Sequence, residues 1–294
     1  MPELPEVESV RRSLLRHLPG RTITAVKLLR PDIVTGPATP SALLRGRTIG
    51  DILRHGKQLA ILTQASANPP CLCVHLGMTG SLRYFPSSAI GHAKSATQPD
   101  LPPHAHIIWQ LDDGGKLVFA DPRRFGGIWT YPNPAALRES RWNTLGADAL
   151  TITPRQLHSR LAASRRPLKS ALLDQNLIAG LGNIYVDELL FDCRLHPSTP
   201  CDCLTFDQVR ALVSRMRRLL GRAIRAGGST LRDYVDGQGN PGGFQFRHKV
   251  YGRAGQPCRN CRALLQSLTL AGRTTVYCPA CQTIHNSPTS CGKP

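Results

Sequence analysis

The sequence predicts an α+β chain built from three successive stretches: short β-strands, then helices, then a small cysteine module. Three observations predict it. Between Thr22 and Tyr131 the apolar residues fall in short β-branched or aromatic runs cut by turn residues. From about Thr153 they recur at helical spacing instead. Near the C-terminal end four cysteines stand in two close pairs, Cys258-x-x-Cys261 and Cys278-x-x-Cys281.

One helix precedes the strands. Pro5 suits its N1 position, Val7, Val10, Leu14 and Leu18 recur on one face, and Gly20 ends it, which predicts a helix over residues 5–18. Eight strands are then expected: Thr22–Leu29, Thr48–Arg54, Leu59–Thr63, Cys71–Leu76, Ser81–Phe85, His106–Leu111, Lys116–Ala120 and Ile128–Tyr131. Such a series suits a sandwich or barrel. Residues 86–103 are rich in Pro, Ser and Ala and predict a flexible loop. Thr153-Pro154 is a helix start. Over residues 207–226 a stripe of Val209, Leu212, Val213, Met216, Leu219, Leu220, Ala223 and Ile224 predicts an amphipathic helix that Gly227-Gly228 terminates. The run 236–243 (DGQGNPGG) predicts a mobile loop, and the polar tail 282–294 predicts disorder.

Composition narrows the function. The formal charge is +18, with 37 Lys and Arg against 19 Asp and Glu, and the excess concentrates between Thr153 and Arg273. Such an excess points to a polyanionic partner, nucleic acid before an acidic membrane surface, although basic solvated faces give the same count. No apolar run has the length of a membrane span, and no N-terminal apolar run resembles a signal peptide, so a cytoplasmic protein is expected. Ten cysteines in such a compartment read as metal ligands or free thiols. Four thiolates in two CxxC pairs, sixteen residues apart, suit one tetrahedral zinc ion in a ribbon, with an iron–sulfur site as the lesser alternative. Cys71, Cys73, Cys193, Cys201, Cys203 and Cys291 lack that spacing and read as packing or incidental.

The N-terminus, Met1-Pro2-Glu3-Leu4-Pro5-Glu6, carries a second chemical signal. Removal of Met1 would leave Pro2 with a secondary α-amine. An α-amine titrates near ~7.7–8.0, so a useful fraction is neutral at physiological pH. A neutral secondary amine can attack an aldehyde-level carbon and form an iminium. Glu3 stands beside it to move a proton, and Glu6 lies one helical turn on. On composition alone the same residues also read as a plain helix lead-in.

The segments MPELPEVE, HGKQL, HLGMTGSLR, DPRRFG, GLGNIYVDE, GGSTLRDY, VYGR and the cysteine pairs occur in this order through nearly the whole chain. Together they resemble the formamidopyrimidine-DNA glycosylase family, also called MutM, within the Fpg/Nei superfamily. The resemblance implies an N-terminal catalytic β-sandwich over 1–135, a helix–two-turns–helix DNA-binding domain over 150–245, a zinc finger over 249–283 and a tail over 284–294. It implies a bifunctional enzyme that excises 8-oxoguanine and formamidopyrimidines from duplex DNA, acts on abasic sites, and holds one structural Zn2+. A monomer acting on the nucleoid is expected.

The same resemblance implies residue roles. Pro2 attacks C1′, Glu3 protonates the sugar ring oxygen, Lys57 contacts the phosphate beside the lesion, and Arg273 on the finger assists δ-elimination. Met78, Arg123 and Phe125 match side chains that fill the hole left by an extruded base. His104, Arg124, Arg165, Arg166, Lys169, Asn183, Tyr251 and Arg253 match DNA-contacting positions, with a one-residue ambiguity across Ser164–Pro167. Asn183 also reads as a helix-cap residue, and Glu188 as a buried neighbour. The loop 236–247 matches a lid over the extruded purine. Two rival readings remain: an endonuclease VIII-like enzyme for oxidised pyrimidines, and an inactive zinc-ribbon DNA-binding relative. The MPELPE start, the Met78/Arg123/Phe125 set and the presence of Pro2, Glu3 and Lys57 argue for the purine enzyme. The Cys/Pro-rich stretch Pro197–Leu204 and the long loop 86–103 depart from a compact member without touching these residues.

Overall fold

A computed structural model describes residues 2–64, 68–87 and 101–284. Most of the flexible loop expected at 86–103, and the tail from 285 on with Cys291, lie outside the described residues. The chain divides into two units, Met1–Thr144 with Ala226–Gly243, and Leu145–Arg225 with Phe244–Pro294.

The first unit opens with α1 (Leu4–Leu14). Its helical hydrogen bonding gives way to tighter turns at Arg16 and His17, so the expected helix over 5–18 ends one turn early. Leu14 and Leu18 are nevertheless fully buried, as the spacing requires. Pro5 falls at the second helical position rather than the first, because Glu3 is the N-cap. Nine strands follow: β1 (Ile23–Leu28), β2 (Val34–Thr35), β3 (Ile49–His55), β4 (Gln58–Thr63), β5 (Cys71–His75), β6 (Ser81–Phe85), β7 (Ala105–Leu111), β8 (Lys116–Ala120) and β9 (Gly127–Tyr131). They form a four-stranded sheet, β1-β7-β8-β6, and a five-stranded sheet, β2-β9-β5-β4-β3. All pairings are antiparallel except β2 with β9.

One apolar core joins both sheets to α1. Val7, Val10 and Leu14 of the helix meet Ile52, Ile61, Leu72 and Val74 of one sheet and Ile107, Trp109 and Phe119 of the other. Burial of these side chains removes apolar surface from water, at ~25 cal/mol per Å2. Among the described residues Trp109 is the largest wholly buried side chain, and its indole N–H is satisfied by the Leu43 carbonyl at 2.9 Å. A short helix, α2 (Pro134–Ser140), follows the last strand, with the Asn133 side chain accepting from the Ala136 N–H at 2.8 Å.

The second unit is helical. It contains α3 (Pro154–Ala162), α4 (Leu168–Leu173), α5 (Asn183–Cys193) and α6 (Phe206–Arg225), with the two-residue parallel pair β10 (Ala147–Asp148) and β11 (Ile178–Ala179). Thr153 and Gln156 close a reciprocal capping box at the start of α3. α6 buries the eight residues of the apolar stripe and no others. A hairpin of β12 (Gln266–Leu270) and β13 (Arg273–Tyr277) packs Leu265, Val276, Cys258 and Cys278 against Phe191 of α5 and Val250. No helix among the described residues is long and apolar enough to cross a membrane.

Replacing Trp109 by Ala empties the centre of the shared core and orphans the Leu43 carbonyl. We expect a loss of about 3–5 kcal/mol in urea unfolding followed by fluorescence or circular dichroism.

Candidate functional site

In the first unit the N-terminus is fixed by one carboxylate. Pro2, Glu3 and Glu6 are all buried. The Glu3 N–H donates to Glu6 Oε2 at 2.9 Å, the reciprocal half of a capping box. The other oxygen, Oε1, accepts from the Ser229 N–H at 2.7 Å, and the Tyr234 hydroxyl donates to the Glu6 carbonyl at 3.0 Å. Residues 226–243 thus fold onto α1, although the chain on both sides of them belongs to the second unit. Farther along α1, the Gly237 N–H donates to Ser13 Oγ at 2.8 Å. Gly228 sits at φ +83°, and a Cβ there would lie 2.8 Å from Glu6 Oε1, so both backbone conformation and space demand glycine. Burial, with the Glu6 charge nearby, pushes the Tyr234 phenol well above its usual range.

The expected lid at 236–247 is divided by this arrangement. Residues 236–243 go with the first unit, where Asp236 Oδ1 caps a turn by accepting from the Gln238 and Asn240 N–H groups at 2.8 and 2.9 Å. Phe244–Arg247 form a 3₁₀ turn in the second unit.

Two touching loops carry the expected void-filling residues. Met78 is 41% and Phe125 57% exposed, and the Arg123 guanidinium lies 4.6 Å from the Phe125 ring centre. Asp121, wholly buried, ties the loops together. Its carboxylate accepts from the Thr79 hydroxyl at 2.6 Å, the Arg123 N–H at 3.2 Å and the Gly126 N–H at 2.7 Å. Gly77, at φ +61°, lets the loops approach: a Cβ would come within 2.3 Å of the Gly126 nitrogen. His104 and Arg124 are left-handed at φ +60° and +54°, and Arg124 pairs with Asp32 at 3.2 Å. Lys57 lies largely buried in the β3–β4 turn. Burial, then the charges of Arg141 and Lys57, lowers the His75 imidazole to about 4, and its Nδ1 accepts from the Gly77 N–H at 3.3 Å.

The second unit holds the remaining candidates. Asn183 is the first residue of α5, beside the Gly182 N-cap, and its side-chain amide donates to the Thr274 carbonyl at 2.9 Å. The same carbonyl accepts from Lys169 Nζ at 3.2 Å. Lys169 is fully buried, with its ammonium 2.7 Å from Asp187 Oδ1, so the expected DNA contact by Lys169 is corrected to an internal one. Asp187 Oδ2 accepts from the Val276 N–H at 3.1 Å. Burial raises the Asp187 carboxyl to about 6, against the pull of Lys169. Arg273 is therefore flanked by pinned backbone, and its exposed side chain begins β13 directly after a two-residue turn, Ala271-Gly272, with both φ positive.

Arg253 is half-buried, and its guanidinium donates to the Lys249 carbonyl at 2.6 Å, Gln256 Oε1 at 2.9 Å and the Pro257 carbonyl at 3.1 Å. Glu188, buried as expected, accepts the N–H groups of Lys249, Val250 and Tyr251 at 2.8–2.9 Å, so it anchors the turn carrying Tyr251. Arg165 and Arg166 are exposed and pair with Asp202 and Asp174 at 3.4 and 3.0 Å. Asp121, Ser229 and Thr274 were not singled out from the sequence. Asp121 and Ser229 had a signal there, within DPRRFG and GGSTLRDY; Thr274 had none.

The four sulfurs of Cys258, Cys261, Cys278 and Cys281 lie within 4.8 Å of one another. Zn–S bonds of ~2.3 Å in a tetrahedron put sulfurs about 3.8 Å apart, so this set fits one structural zinc ion. The Asn260 and Cys281 N–H groups point at Cys258 and Cys278 Sγ at 3.4 Å, as in thiolate turns around a metal. Cys71 and Cys73 are buried packing residues, their thiols pushed by burial to about 11 and about 12.

Comparison with known proteins agrees along the length of the chain. Residues 1–128 match the formamidopyrimidine-DNA glycosylase N-terminal domain, 145–235 the H2TH domain of the same enzymes, and 255–284 a zinc finger found in FPG and IleRS. The formamidopyrimidine-DNA glycosylase of Geobacillus kaustophilus is 39% identical over 96% of this chain and all of its own length. That of Thermomicrobium roseum is 42% identical over 97% and 100%. The MutM (Fpg) crystal structure from Thermus thermophilus has a TM-score of 0.81 at 38% identity, covering 96% of this chain and 99% of that one. Wild-type Lactococcus lactis Fpg in complex with DNA containing N7-benzyl-Fapy-dG has a TM-score of 0.83 at 33% identity, covering 96% and 100%.

Removing the metal should release the finger alone. A chelator is expected to free one zinc per chain, counted colorimetrically, and to abolish hydrogen-exchange protection over Gln266–Tyr277 while the sheets of the first unit keep theirs. Acid should act on the Met78 loop through His75. Its folded value near 4 lies below its ordinary 6.5, so the unfolded chain takes the proton first. The stability it contributes is complete above about 6.5 and lost as pH falls toward 4. Thermal melts should show this acid-side loss, and it should shrink in His75→Gln.

Proposed function

The chain belongs to the formamidopyrimidine-DNA glycosylase family, and on that premise we propose that its mature N-terminal proline is the nucleophile of a base-excision repair enzyme. The chain is a DNA glycosylase that acts on DNA carrying oxidised bases or abasic sites, with a structural zinc ion in its finger. Its substrates are the oxidised purines 8-oxoguanine and formamidopyrimidine, and it then cleaves the strand as an AP lyase.

The observation that carries the reading is the Glu6 clamp. It fixes the backbone of Glu3, and hence the neighbouring Pro2 nitrogen, at the start of α1. The positive end of a helix disfavours a protonated amine close by, which keeps more of the Pro2 nitrogen neutral and nucleophilic. Attack on C1′ expels the damaged base. Glu3 gives its proton to the ring oxygen, and the ring opens to an iminium. The iminium acidifies the 2′ proton, so the 3′ phosphate leaves by β-elimination and the 5′ phosphate by δ-elimination.

Other side chains hold the substrate in this scheme. Lys57 meets the phosphate beside the lesion. Arg273 serves the δ step, from a position fixed by the Thr274 carbonyl and Val276 N–H contacts. Met78, Arg123 and Phe125 fill the space of the extruded base, whose removal from the stack costs a few kcal/mol. Their exposure supports this, since an apolar side chain left in water gains by entering a base step. Asn183, Arg165, Arg166, His104, Arg124 and Tyr251 contact the flanking backbone. The enzyme works as a monomer in the cytoplasm, on the nucleoid where its substrate is.

Borohydride trapping tests this. With an 8-oxoguanine duplex the wild-type chain should form a covalent adduct that peptide mapping places on Pro2. Pro2→Gly, or a form that keeps Met1, should cut at least 100-fold more slowly and still bind DNA in a salt-sensitive way. An adduct with an oxidised-pyrimidine duplex but none with 8-oxoguanine would sink the substrate assignment.

A further inference from the structure

A groove of about 860 Å3 lies in the second unit between the C-terminal end of α5 and the last three turns of α6. Seven cations line it against one carboxylate, Asp192. Arg215, Arg218, Arg222 and Arg225 recur at intervals of three and four residues, so they form a single stripe along one face of α6. Gly221 leaves the middle of that stripe open. Arg194, in a left-handed C-cap conformation at φ +57°, and Lys249 flank it.

The groove is not neutralised from within. Asp192 takes Lys249 at 2.6 Å and Arg222 at 3.3 Å, while Arg215 donates to the Asp192 backbone carbonyl. Among the described residues no carboxylate pairs with Arg194, Arg218 or Arg225. Concave, unneutralised positive charge focuses potential and favours an anion. The only large apolar residue in the lining is Phe191, itself buried, so the surface offers no exposed aromatic or apolar anchor. A polar, strongly positive surface is the character of a nucleic-acid contact. The stripe runs about 15 Å along the helix axis, and a strand of B-DNA presents a phosphate every ~3.4 Å of its axis, so several phosphates fit along it. None of the residues assigned to lesion binding lines the groove. Arg194 stands at the far end of α5 from Asn183, about 16 Å away along the axis.

We propose that this arginine groove binds the phosphodiester backbone of a second DNA duplex, separate from the one that holds the lesion. The enzyme can then touch two DNA segments at once and pass between them without full release. The inference rests on the glycosylase reading only for its first duplex. Arginine pairs phosphates through charge-assisted hydrogen bonds without reading bases, so this second contact is independent of sequence.

The test loads the full zinc-containing enzyme with a short duplex carrying an uncleavable abasic-site analogue, then adds a labelled undamaged duplex. Sedimentation should show complexes of one protein with two duplexes. Arg218→Gln/Arg225→Gln should bind the second duplex about tenfold more weakly and with a shallower salt slope, by roughly two phosphate contacts. Excision from a short 8-oxoguanine duplex should stay within about twofold. Arg218→Lys/Arg225→Lys should retain the second duplex, because charge rather than fork geometry holds an unread backbone. The idea is overturned if no such ternary complex forms at low salt, or if the Gln variant captures the second duplex as the wild type does. It is equally overturned if a polyglutamate peptide, at matched charge, binds the groove and undamaged duplex does not. Failure to bind the first duplex would count against the glycosylase reading instead.

Discussion

The two oxygens of one buried carboxylate, that of Glu6, hold the N-terminal end of this molecule in shape. One takes the Glu3 N–H and so sets the first turn of α1. The other takes the Ser229 N–H and brings in a segment from more than two hundred residues away. A carboxylate buried this deeply is tolerable only because backbone donors meet both oxygens. Gly228 is the steric condition for it, since any Cβ would sit against the oxygen that does the holding. The proposed mechanism asks an amine for near-attack geometry, and a terminal residue is held in place by contacts such as this one.

The second unit solves a similar problem with a different set of atoms. Arg273 is long, exposed and placed on a hairpin, where side-chain freedom is costly to lose. Its backbone is therefore fixed from below: Asn183 and Lys169 share the Thr274 carbonyl, and Asp187 holds the Val276 N–H. Breaking the Lys169–Asp187 pair on one side would leave a buried charge uncompensated, which is far more costly than the pair is stabilising. The zinc thiolates fix the opposite end of the same hairpin.

Much of this was legible in the sequence, and the failures have physical causes. The eight strands announced themselves because turn residues bracket each β-branched run, and α6 did so because its eight apolar residues keep one face through twenty residues. β2 was invisible: two residues carry no period, and their partner in β9 lies far along the chain. α2 escaped too, although Asn133-Pro134 is a good start signal, because seven residues give barely two turns. Residue types and spacing marked Pro2 and Glu3 as candidates and brought out the four cysteines. They could not tell an exposed lysine from a buried one, since the partner that admits Lys169 to the interior is eighteen residues away on another helix. Asp121 was quoted within a motif and given no task. Its role lies in three hydrogen bonds to two loops, a property of proximity rather than of order.

The discontinuous first unit has a consequence for how the protein is made. α1 is the first helix to leave the ribosome, yet its clamp needs Ser229, 223 residues later. At ~5–20 residues per second, synthesis of that interval takes roughly 11–45 s. Throughout it the two sheets can close their core, but the Glu6 carboxylate waits for the Ser229 N–H. The clamp on α1 is thus completed late, although its helix is translated early.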